Sequence, residues 1–372
     1  MMLEIIEIKN NTDLKKFIYL PEKIHKNHKN WLHPIYRDEW ILFDSKKNKA
    51  FNYCDTILAI ARKNGKVVGR IMGIINHRYN KINNENFGRF CFMETYDDQD
   101  VFHELVSFIE VWAHEKGMDK LIGPFGFSDE DPQGFLVEGF DQPTVMITNC
   151  SLPYMAEMIV KEGFTKKMDF VQYKIETPKQ IPPIYERIAQ RPEKNGFKLM
   201  EFTKRKQLKP YIRPVLGLTN DTYTEIFGYV PFSEEEMDDF AKRYLPILDP
   251  EFIKVIVDSS SKVVAYVIGM PNISNGIRKA KGRLLPFGFI HILRSMKKSN
   301  QLDLLLGAVK NDLRNIGLDT MMAKAMLHSI NKRGLEFIDS HVVMETNTKM
   351  RAEVEKLGGE VYKRYRIFQK DL

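Results

Sequence analysis

The chain repeats its own pattern at an offset of about 195 residues, and a repeat of this length restricts the fold more than any single motif does. Related segments recur in the same order in both halves. Three pairs carry the repeat: Ile6-Glu7-Ile8 with Met200-Glu201-Phe202, Lys66-Val67-Val68 with Lys262-Val263-Val264, and Lys161-Glu162-Gly163 with Lys356-Leu357-Gly358. Three matches at nearly one offset are hard to attribute to chance. The sequence therefore predicts two copies of one domain.

A proline-rich segment separates the copies. The stretch 177–183 ends the last strand of the first copy, because proline cannot donate a hydrogen bond to a β-ladder. A short helix, Ile184 to Ala189, and a polar turn complete the connection. We expect a first domain at 1–178, a linker at 179–196 and a second domain at 197–372.

Strand patterns alternate with helical patterns within each copy. The first copy has a hairpin with an Asn-Gly turn, then a strand, a helix capped by Asp100 and a strand at Lys120. The second copy repeats this order with a hairpin, strand, helix, strand, helix and strand at 252–270, 302–309, 318–331, 337–345, 348–357 and 362–368. Strands separated by single helices predict an α/β fold, with a central mixed sheet covered by helices in each copy.

Composition indicates a cytoplasmic protein. Hydrophobic residues make up 43% and charged residues 28%, an ordinary globular balance. No apolar stretch approaches the ~20 residues of a membrane-spanning helix, and the acidic start lacks the pattern of an export signal. Three scattered cysteines, Cys54, Cys91 and Cys150, fit neither a disulfide framework nor a zinc cluster.

The net charge of +7 is modest, and we expect no stable nucleic-acid complex. The basic residues concentrate in an acid-free insert at 273–302. This insert either lies near a polyanionic ligand or is simply solvated. Within it, Leu284 to Met296 is amphipathic, and its pattern fits a lid, a membrane-surface contact or a dimer element equally well.

One strand-to-helix junction in the second copy has the chemistry of an anion site. The apolar run 304–309 leads through Arg314 and Gly317 into a helix. Free backbone N–H groups and the positive end of the helix dipole favour a pyrophosphate there, and glycine permits its close approach. A plain strand-loop-helix connection fits the same spacing.

This junction, with Glu345-Thr346-Asn347 and Leu357-Gly358 after it, resembles the GNAT superfamily of acetyl-CoA-dependent N-acyltransferases. The whole chain is also similar to bacterial two-copy acetyltransferase-like proteins, which carry sequence segments close to 122–128 and 136–141 of this chain. The resemblance implies acetyl-CoA or another acyl-CoA as donor and a small-molecule amine as acceptor. The donor-binding residues it implies are Gly307, Ala308, Val309 and Asn347 for the pantetheine arm, and Arg314, Asn315, Ile316 and Gly317 for the pyrophosphate, with Leu318 and Asp319 completing the segment.

Two positions depart from the family pattern. Asp319 stands where the motif has Gly or Ala, which places a carboxylate near the expected phosphates. Val354 stands where the family often has the tyrosine that protonates the leaving thiolate, so Tyr362 or Tyr365 would have to act instead.

Acyl transfer to an amine also needs a base. His341 and Glu345 are four residues apart on one predicted strand and therefore share a side of it, so they are our candidates. A structural pair of polar side chains would give the same pattern.

The first copy is expected to lack donor binding. Its corresponding loop, 93–100, has four acids and neither glycine nor arginine. The acidic loop Ser128 to Asp131 is expected to face the substrate amine, although a solvated turn has the same composition. His25, His28 and His33 approach metal-ligand spacing without completing a ligand shell, so no metal is expected.

The sequence thus favours an N-acyltransferase with one active site in the second copy. Two other hypotheses remain open. One is a catalytically inactive acyl-CoA-binding or scaffold protein, favoured by Asp319 and Val354. The other is an aminoacyl-tRNA-dependent transferase, in which the basic insert would meet tRNA. The oligomeric state is not predicted.

Overall fold

A single mixed sheet of 13 strands runs through the computed structural model, which describes residues 2–372. In chain order the strands are β1 (Leu3–Glu7), β2 (Cys54–Lys63), β3 (Lys66–Asn76), β4 (Phe87–Thr95), β5 (Lys120–Gly123), β6 (Phe135–Glu138), β7 (Thr165–Glu176), β8 (Lys198–Glu201), β9 (Ile253–Val257), β10 (Val263–Pro271), β11 (Gln301–Val309), β12 (Phe337–Met344) and β13 (Glu360–Asp371).

Twelve α-helices flank the sheet. They are α1 (Asn11–Ile24), α2 (Tyr36–Leu42), α3 (His77–Asn83), α4 (Gln99–Glu115), α5 (Pro153–Lys161), α6 (Pro183–Lys194), α7 (Ile212–Thr222), α8 (Glu234–Tyr244), α9 (Ser274–Ala280), α10 (Gly288–Lys298), α11 (Leu318–Arg333) and α12 (Thr348–Lys356). None of the helices between residues 2 and 372 is both long and apolar enough to cross a membrane. The predicted α/β class, a mixed sheet covered by helices, is confirmed.

The strand order is β1-β2-β3-β4-β5-β13-β7-β12-β11-β10-β9-β8, and β6 pairs with β13. Two pairs are parallel, β4 with β5 and β11 with β12, and each is joined through one long helix, α4 or α11. The other pairs are antiparallel. Each half of the chain thus contributes the same strand-helix-strand crossover.

The last strand of each half lies in the other half's part of the sheet. Strand β7 pairs with β12, a strand of the second half, whereas β13 pairs with β5, a strand of the first. The two exchanged strands also pair with each other along most of their length. The sheet is therefore continuous across the middle of the molecule.

Both parallel pairs diverge soon after they begin. The strands β4 and β5 pair only over Phe87–Arg89, and β11 and β12 pair only over Gln301–Asp303. Beyond these residues a wedge opens in the sheet in each half. Register irregularities follow, with Phe92 and His341 both in the left-handed region at φ 48° and 56°.

Several elements differ from the sequence expectations at their ends. Helix α4 begins after Asp98, whose side chain accepts from the Val101 N–H, so Asp98 and not Asp100 is its cap. The expected short helix at Ile184 extends to Lys194 and forms α6, which packs on α11. Helices α1, α7 and α8 and strand β6 had no assigned pattern.

Candidate functional site

A cavity of about 1010 Å³ lies between the two halves of the chain. One wall comes from α2, from Arg70 of β3 and from the end of β4, and the opposite wall comes from 230–247 of the second half. Two loops of the first half, 127–132 and 144–150, close its remaining sides. Its volume is at the upper end of the range for small-molecule sites.

Most of the cavity lining is apolar or aromatic. The side chains include Trp31, Ile35, Leu42, Phe92, Met93, Phe127, Val145, Met146, Val230, Phe232, Phe240, Ile247, Ile277 and Leu284. An apolar lining of this extent stabilises a ligand with a hydrocarbon part, because it removes apolar surface from water.

Three carboxylates in the cavity lack a salt bridge among the described residues: Glu39, Glu130 and Asp131. Burial raises the pKa of Glu39 to about 7. Burial also raises the pKa of Glu130 well above its ordinary value, and that of Asp131 to a lesser degree. A cationic ligand would relieve this cost, since an opposite charge favours the ionised carboxyl. These three side chains are called the cavity carboxylates below.

A fourth cavity acid, Glu94 at the end of β4, is already paired. Its Oε2 lies 2.9 Å from Nε2 of the buried His25, and Nδ1 of His25 lies 3.0 Å from Nδ1 of His28. Burial alone would raise the pKa of Glu94, but His25 and Arg70 outweigh it and hold that pKa below its usual value. Of the three histidines with near metal-ligand spacing, His25 and His28 therefore belong to this network, and His33 lies beside Trp31.

The predicted acidic loop does reach the cavity. Ser128, Glu130 and Asp131 all line it, and the Asp131 side chain accepts from the Phe127 N–H at 2.7 Å, which fixes the turn. Sequence reasoning found this loop from its acids alone.

The predicted pyrophosphate segment forms the entry to α11, outside the cavity lining. Gly317 has φ 98° and precedes the first helical residue, Leu318. A methyl group at Gly317 would come within 2.8 Å of Ile188 Cγ2 on α6, so glycine is required there by packing as well. Arg314, Asn315 and Ile316 are exposed beside it.

Asp319 stays at the helix entry. Its Oδ1 accepts from the Thr320 N–H at 2.8 Å and so takes up one of the free donors that an anion would use. It is also the only acid in the first turn of α11, where a negative charge interacts favourably with the helix dipole.

The predicted pantetheine edge is covered by a tyrosine. The Tyr223 hydroxyl donates to the Gly307 carbonyl at 3.1 Å and accepts from the Gly307 N–H at 3.2 Å. Ala308 and Val309 pair with β10 on the other side of the strand. The Tyr223 ring packs edge-on against the ring of Tyr229, and Val230, the next residue of the chain, lines the cavity.

Asn347 caps a helix in this structure. Its Oδ1 accepts from the Met350 N–H at 3.2 Å at the start of α12. Val354 lies in the core with Val171 and Ile175, so no hydroxyl stands at that helix position.

His341 lies in a buried polar cluster behind the cavity wall. Its Nε2 is 3.1 Å from the carbonyl of Met146, a cavity residue, and its backbone N–H donates to Asp339 Oδ1 at 2.8 Å. Burial lowers the pKa of His341. The Tyr362 hydroxyl donates to the other Asp339 oxygen, and burial with that carboxylate raises the pKa of Tyr362.

Glu345 is engaged elsewhere. Its carboxylate accepts from Lys166 at 2.8 Å and from the Asp169 N–H at 2.9 Å. The irregularity between Asp339 and Val342 breaks the strand alternation. The backbone N–H of His341 and the hydroxyl of Tyr362 therefore meet at the carboxylate of Asp339. Glu345 is not part of this cluster.

Sequence reasoning missed Glu39 and Tyr223. Glu39 lies in the short helix α2, which carries no recognisable sequence motif. Tyr223 follows α7, for which the sequence predicted no element. The loop 93–100 was expected to lack donor binding; in it, Asp98 caps α4 and pairs with Lys63 at 2.5 Å.

No protein-family model matches the chain. It is 28% identical over 381 residues to "Bacterial ceramide synthase" of Caulobacter vibrioides (strain NA1000 / CB15N), covering 100% of this chain and 98% of that protein. It is 26% identical over 372 residues to "Protein YghO" of Escherichia coli (strain K12), covering 98% of this chain and 94% of that protein.

Solved structures match the whole chain in fold. A tandem GNAT protein from the clavulanic acid biosynthesis pathway superposes with a TM-score of 0.58 at 12% identity, covering 100% of this chain and 98% of that one. A GCN5-related N-acetyltransferase from Sphaerobacter thermophilus superposes with a TM-score of 0.53 at 12% identity, covering 99% and 95%.

Proposed function

The chain has the tandem GNAT fold, and from that premise we propose that it is an N-acyltransferase, which moves an acyl group from a coenzyme A thioester to a primary amine. We further propose that the amine belongs to a long-chain amphiphile. The relative named a ceramide synthase supports this acceptor class, because a ceramide is the amide of a long-chain amino alcohol.

The cavity is the observation that carries the proposal. Its cavity carboxylates have no salt bridge among the described residues, and most of its remaining lining is apolar, with basic side chains such as Arg70 and Arg243 among it. A long-chain ammonium needs both features, since its head is cationic and its tail gains from burial. A small polar amine would leave most of the apolar wall in contact with water.

In the proposed chemistry the ammonium binds among the cavity carboxylates and loses one proton to Glu39. A carboxyl with a pKa near 7 is half ionised at neutral pH and so serves as a base there. The free nitrogen forms a bond to the thioester carbonyl carbon as the carbon–sulfur bond breaks. The nitrogen's second proton goes to the departing thiolate, which leaves an amide, a thiol and a protonated Glu39.

The donor site in this proposal remains in the second half. Gly307 to Val309, Arg314 to Asp319 and Asn347 would hold the donor, as the resemblance implies. The Tyr223 hydroxyl would have to leave the Gly307 edge for the pantetheine arm to bind there. His341 is the second candidate for the base, because it contacts the cavity wall at Met146.

A direct assay tests the proposal. The purified chain is incubated with a long-chain acyl-CoA and a long-chain amino alcohol, and the free thiol and the amide are measured by a thiol reagent and mass spectrometry. We expect equal amounts of both. Binding of acyl-CoA without any amide would instead support the inactive acyl-CoA-binding hypothesis.

The control for acceptor class uses a short amine in place of the amino alcohol. A short amine that reacts as fast as the long-chain one, at equal concentration, would contradict the amphiphile assignment. No binding of acyl-CoA by calorimetry would contradict the donor and reopen the tRNA-dependent alternative.

A further inference from the structure

Helices α9 and α10 expose an unusual concentration of large apolar side chains. Leu285 is 76% exposed and Phe287 is 70% exposed, and both lie in the turn between the helices. Phe289 and Leu293, one helical turn apart on α10, are 46% and 48% exposed. Isolated exposed apolar residues are ordinary, but contiguous ones mark an interaction surface.

The same segment is basic and free of acids. Five exposed cations of the segment have no salt bridge among residues 2–372: Lys279, Lys281, Arg294, Lys297 and Lys298. Arg283 differs from them, because it pairs with Glu22 at 2.9 Å and so fastens the segment to α1. The exposed apolar side chains and these five cations together are called the α9–α10 patch.

The patch is not needed to hold α10 in place. The opposite face of the helix provides Ile292 and Met296, which pack with Met270, Ile273 and Ile277 in the core. The outward side chains are therefore free to meet something outside the molecule.

We propose that the α9–α10 patch docks this protein on an anionic lipid bilayer. Apolar side chains beside lysine and arginine suit the boundary between acyl chains and headgroups, where each type finds its own environment. Basic residues gain further from the negative potential of the leaflet.

Charge argues against a second copy of the chain as the occupant. Most symmetric dimers place the same patch opposite itself, so the unpaired cations of one copy would face those of the other. An anionic surface neutralises these charges, whereas a second copy would repel them.

The patch also adjoins the cavity. Ile277 of α9 and Leu284 line the cavity, while the next residue, Leu285, is exposed. If the proposed amphiphilic acceptor is correct, docking brings the cavity beside the membrane in which such a molecule dissolves. This last step rests on the proposed function, whereas the docking itself does not.

Vesicle co-sedimentation tests the docking without any measurement of acyl transfer. We expect binding to vesicles of phosphatidylcholine mixed with phosphatidylglycerol, weaker binding to phosphatidylcholine alone, and loss of binding at high salt. No binding of the wild type to either vesicle would overturn the proposal.

Paired variants identify the surface. F287S/F289S should reduce vesicle partitioning by roughly tenfold or more, and K297Q/K298Q by a similar factor on anionic vesicles only. The matched controls are Val111→Ser, an apolar residue 58% exposed on α4, and K206Q/K209Q, two exposed lysines far along the chain from the patch. Equal loss in the controls, or wild-type partitioning of F287S/F289S, would contradict the assignment.

Sedimentation velocity of the same variants separates the other occupants. A wild-type dimer that F287S/F289S converts to a monomer, without vesicle binding by either, would make the patch a subunit interface. Because the assay needs no substrate, a chain that binds vesicles but forms no amide would contradict only the proposed function.

Discussion

Glu39 combines features expected of a general base in a closed site. It lies half-buried in the cavity. The charged side chains that influence it are two arginines, Arg70 and Arg243, and two acids, Asp38 and Asp131. Burial is the largest influence on its pKa, and the neighbouring acids add to it while the arginines oppose it. The net result is a carboxyl whose pKa is about 7.

Glu39→Gln should therefore lower kcat/KM for amide formation by roughly 10²–10⁴-fold, the usual worth of a general base. In the wild type kcat/KM should fall as the pH drops below about 7, because Glu39 becomes protonated. The variant should lack this acidic limb. Glu235→Gln, at an exposed position on α8, is the control; if both variants behave alike, His341 becomes the leading base.

The same substitution has an opposite effect on stability. The pKa of Glu39 is higher in the folded chain than its ordinary value of 4.5, so folding favours the protonated form and loses stability as the pH rises to about 7. Glu39→Gln should raise the free energy of unfolding at pH 8 by at most about 3 kcal/mol, and the thermal midpoint with it. At pH 4 it should leave both unchanged. A pH-independent change would contradict the buried carboxyl.

Tyr223 tests the donor edge. Tyr223→Phe removes both hydrogen bonds to Gly307 while keeping the ring. If the pantetheine arm competes for this edge, the variant should bind acyl-CoA at least roughly fivefold more tightly, since each net hydrogen bond is worth ~1 kcal/mol. Calorimetry with acyl-CoA measures this. Tyr211→Phe, at a half-buried tyrosine that packs on Phe202, is the control. Unchanged affinity in Tyr223→Phe would mean that the donor does not bind at the Gly307 edge.

At the scale of elements, the exchanged strands are held by a buried ion pair. Asp169 on β7 accepts two hydrogen bonds, at 2.7 and 3.0 Å, from the guanidinium of its register partner Arg366 on β13. Asp169 is 2% exposed, so its carboxylate depends on this partner, on Lys166 at 3.1 Å and on Arg364 at 3.7 Å.

Arg366→Ala should destabilise the protein by about 2–4 kcal/mol, because it removes both hydrogen bonds to a buried carboxylate and leaves only Lys166 and the more distant Arg364 beside it. The exposed pair of Arg213 and Asp238 provides the comparison, and Arg213→Ala should cost less than ~1 kcal/mol. Urea unfolding at neutral pH measures both. Equal small losses would show that β7 and β13 do not rely on the pair.

Elements with strong local patterns were predictable, and elements defined by distant partners were not. Helix α11 matches its expected limits of 318–331 closely, and β2 and β3 form the expected hairpin, because apolar periodicity and an Asn-Gly turn are local signals. The exchange of β7 and β13 has no local signal, since either strand would satisfy either half of the sheet. The cavity was likewise hidden, because its walls come from segments far apart in the chain, and only its acidic loop at 128–131 was anticipated.

At the scale of the molecule, the predicted domain limits at 1–178 and 197–372 meet a sheet that crosses them. The first fragment would lack β13, the partner of β5, and the second would lack β7, the partner of β12. Each would expose unpaired strand edges and apolar core.

We expect neither fragment to fold alone, whereas coexpression of the two should restore a stable complex. Circular dichroism and amide exchange on the separate and combined fragments measure this. The full chain cut by a protease within 179–182, ahead of α6, is the matched control, and it should stay folded. Cooperative unfolding of an isolated fragment would show that its half does not need the exchanged strand.

Because of the strand exchange, the first half of a newly made chain cannot complete its sheet until the last strand has been synthesised. Residues up to β7 leave the ribosome long before β13, and the delay is on the order of 10–40 s at ~5–20 residues per second. During that interval one edge of β5 is unpaired, because β13 has not been made. Strand β7 lacks both of its partners, β12 and β13. The yield of folded protein in a cell should therefore depend on how well chaperones or the ribosome surface protect the nascent first half.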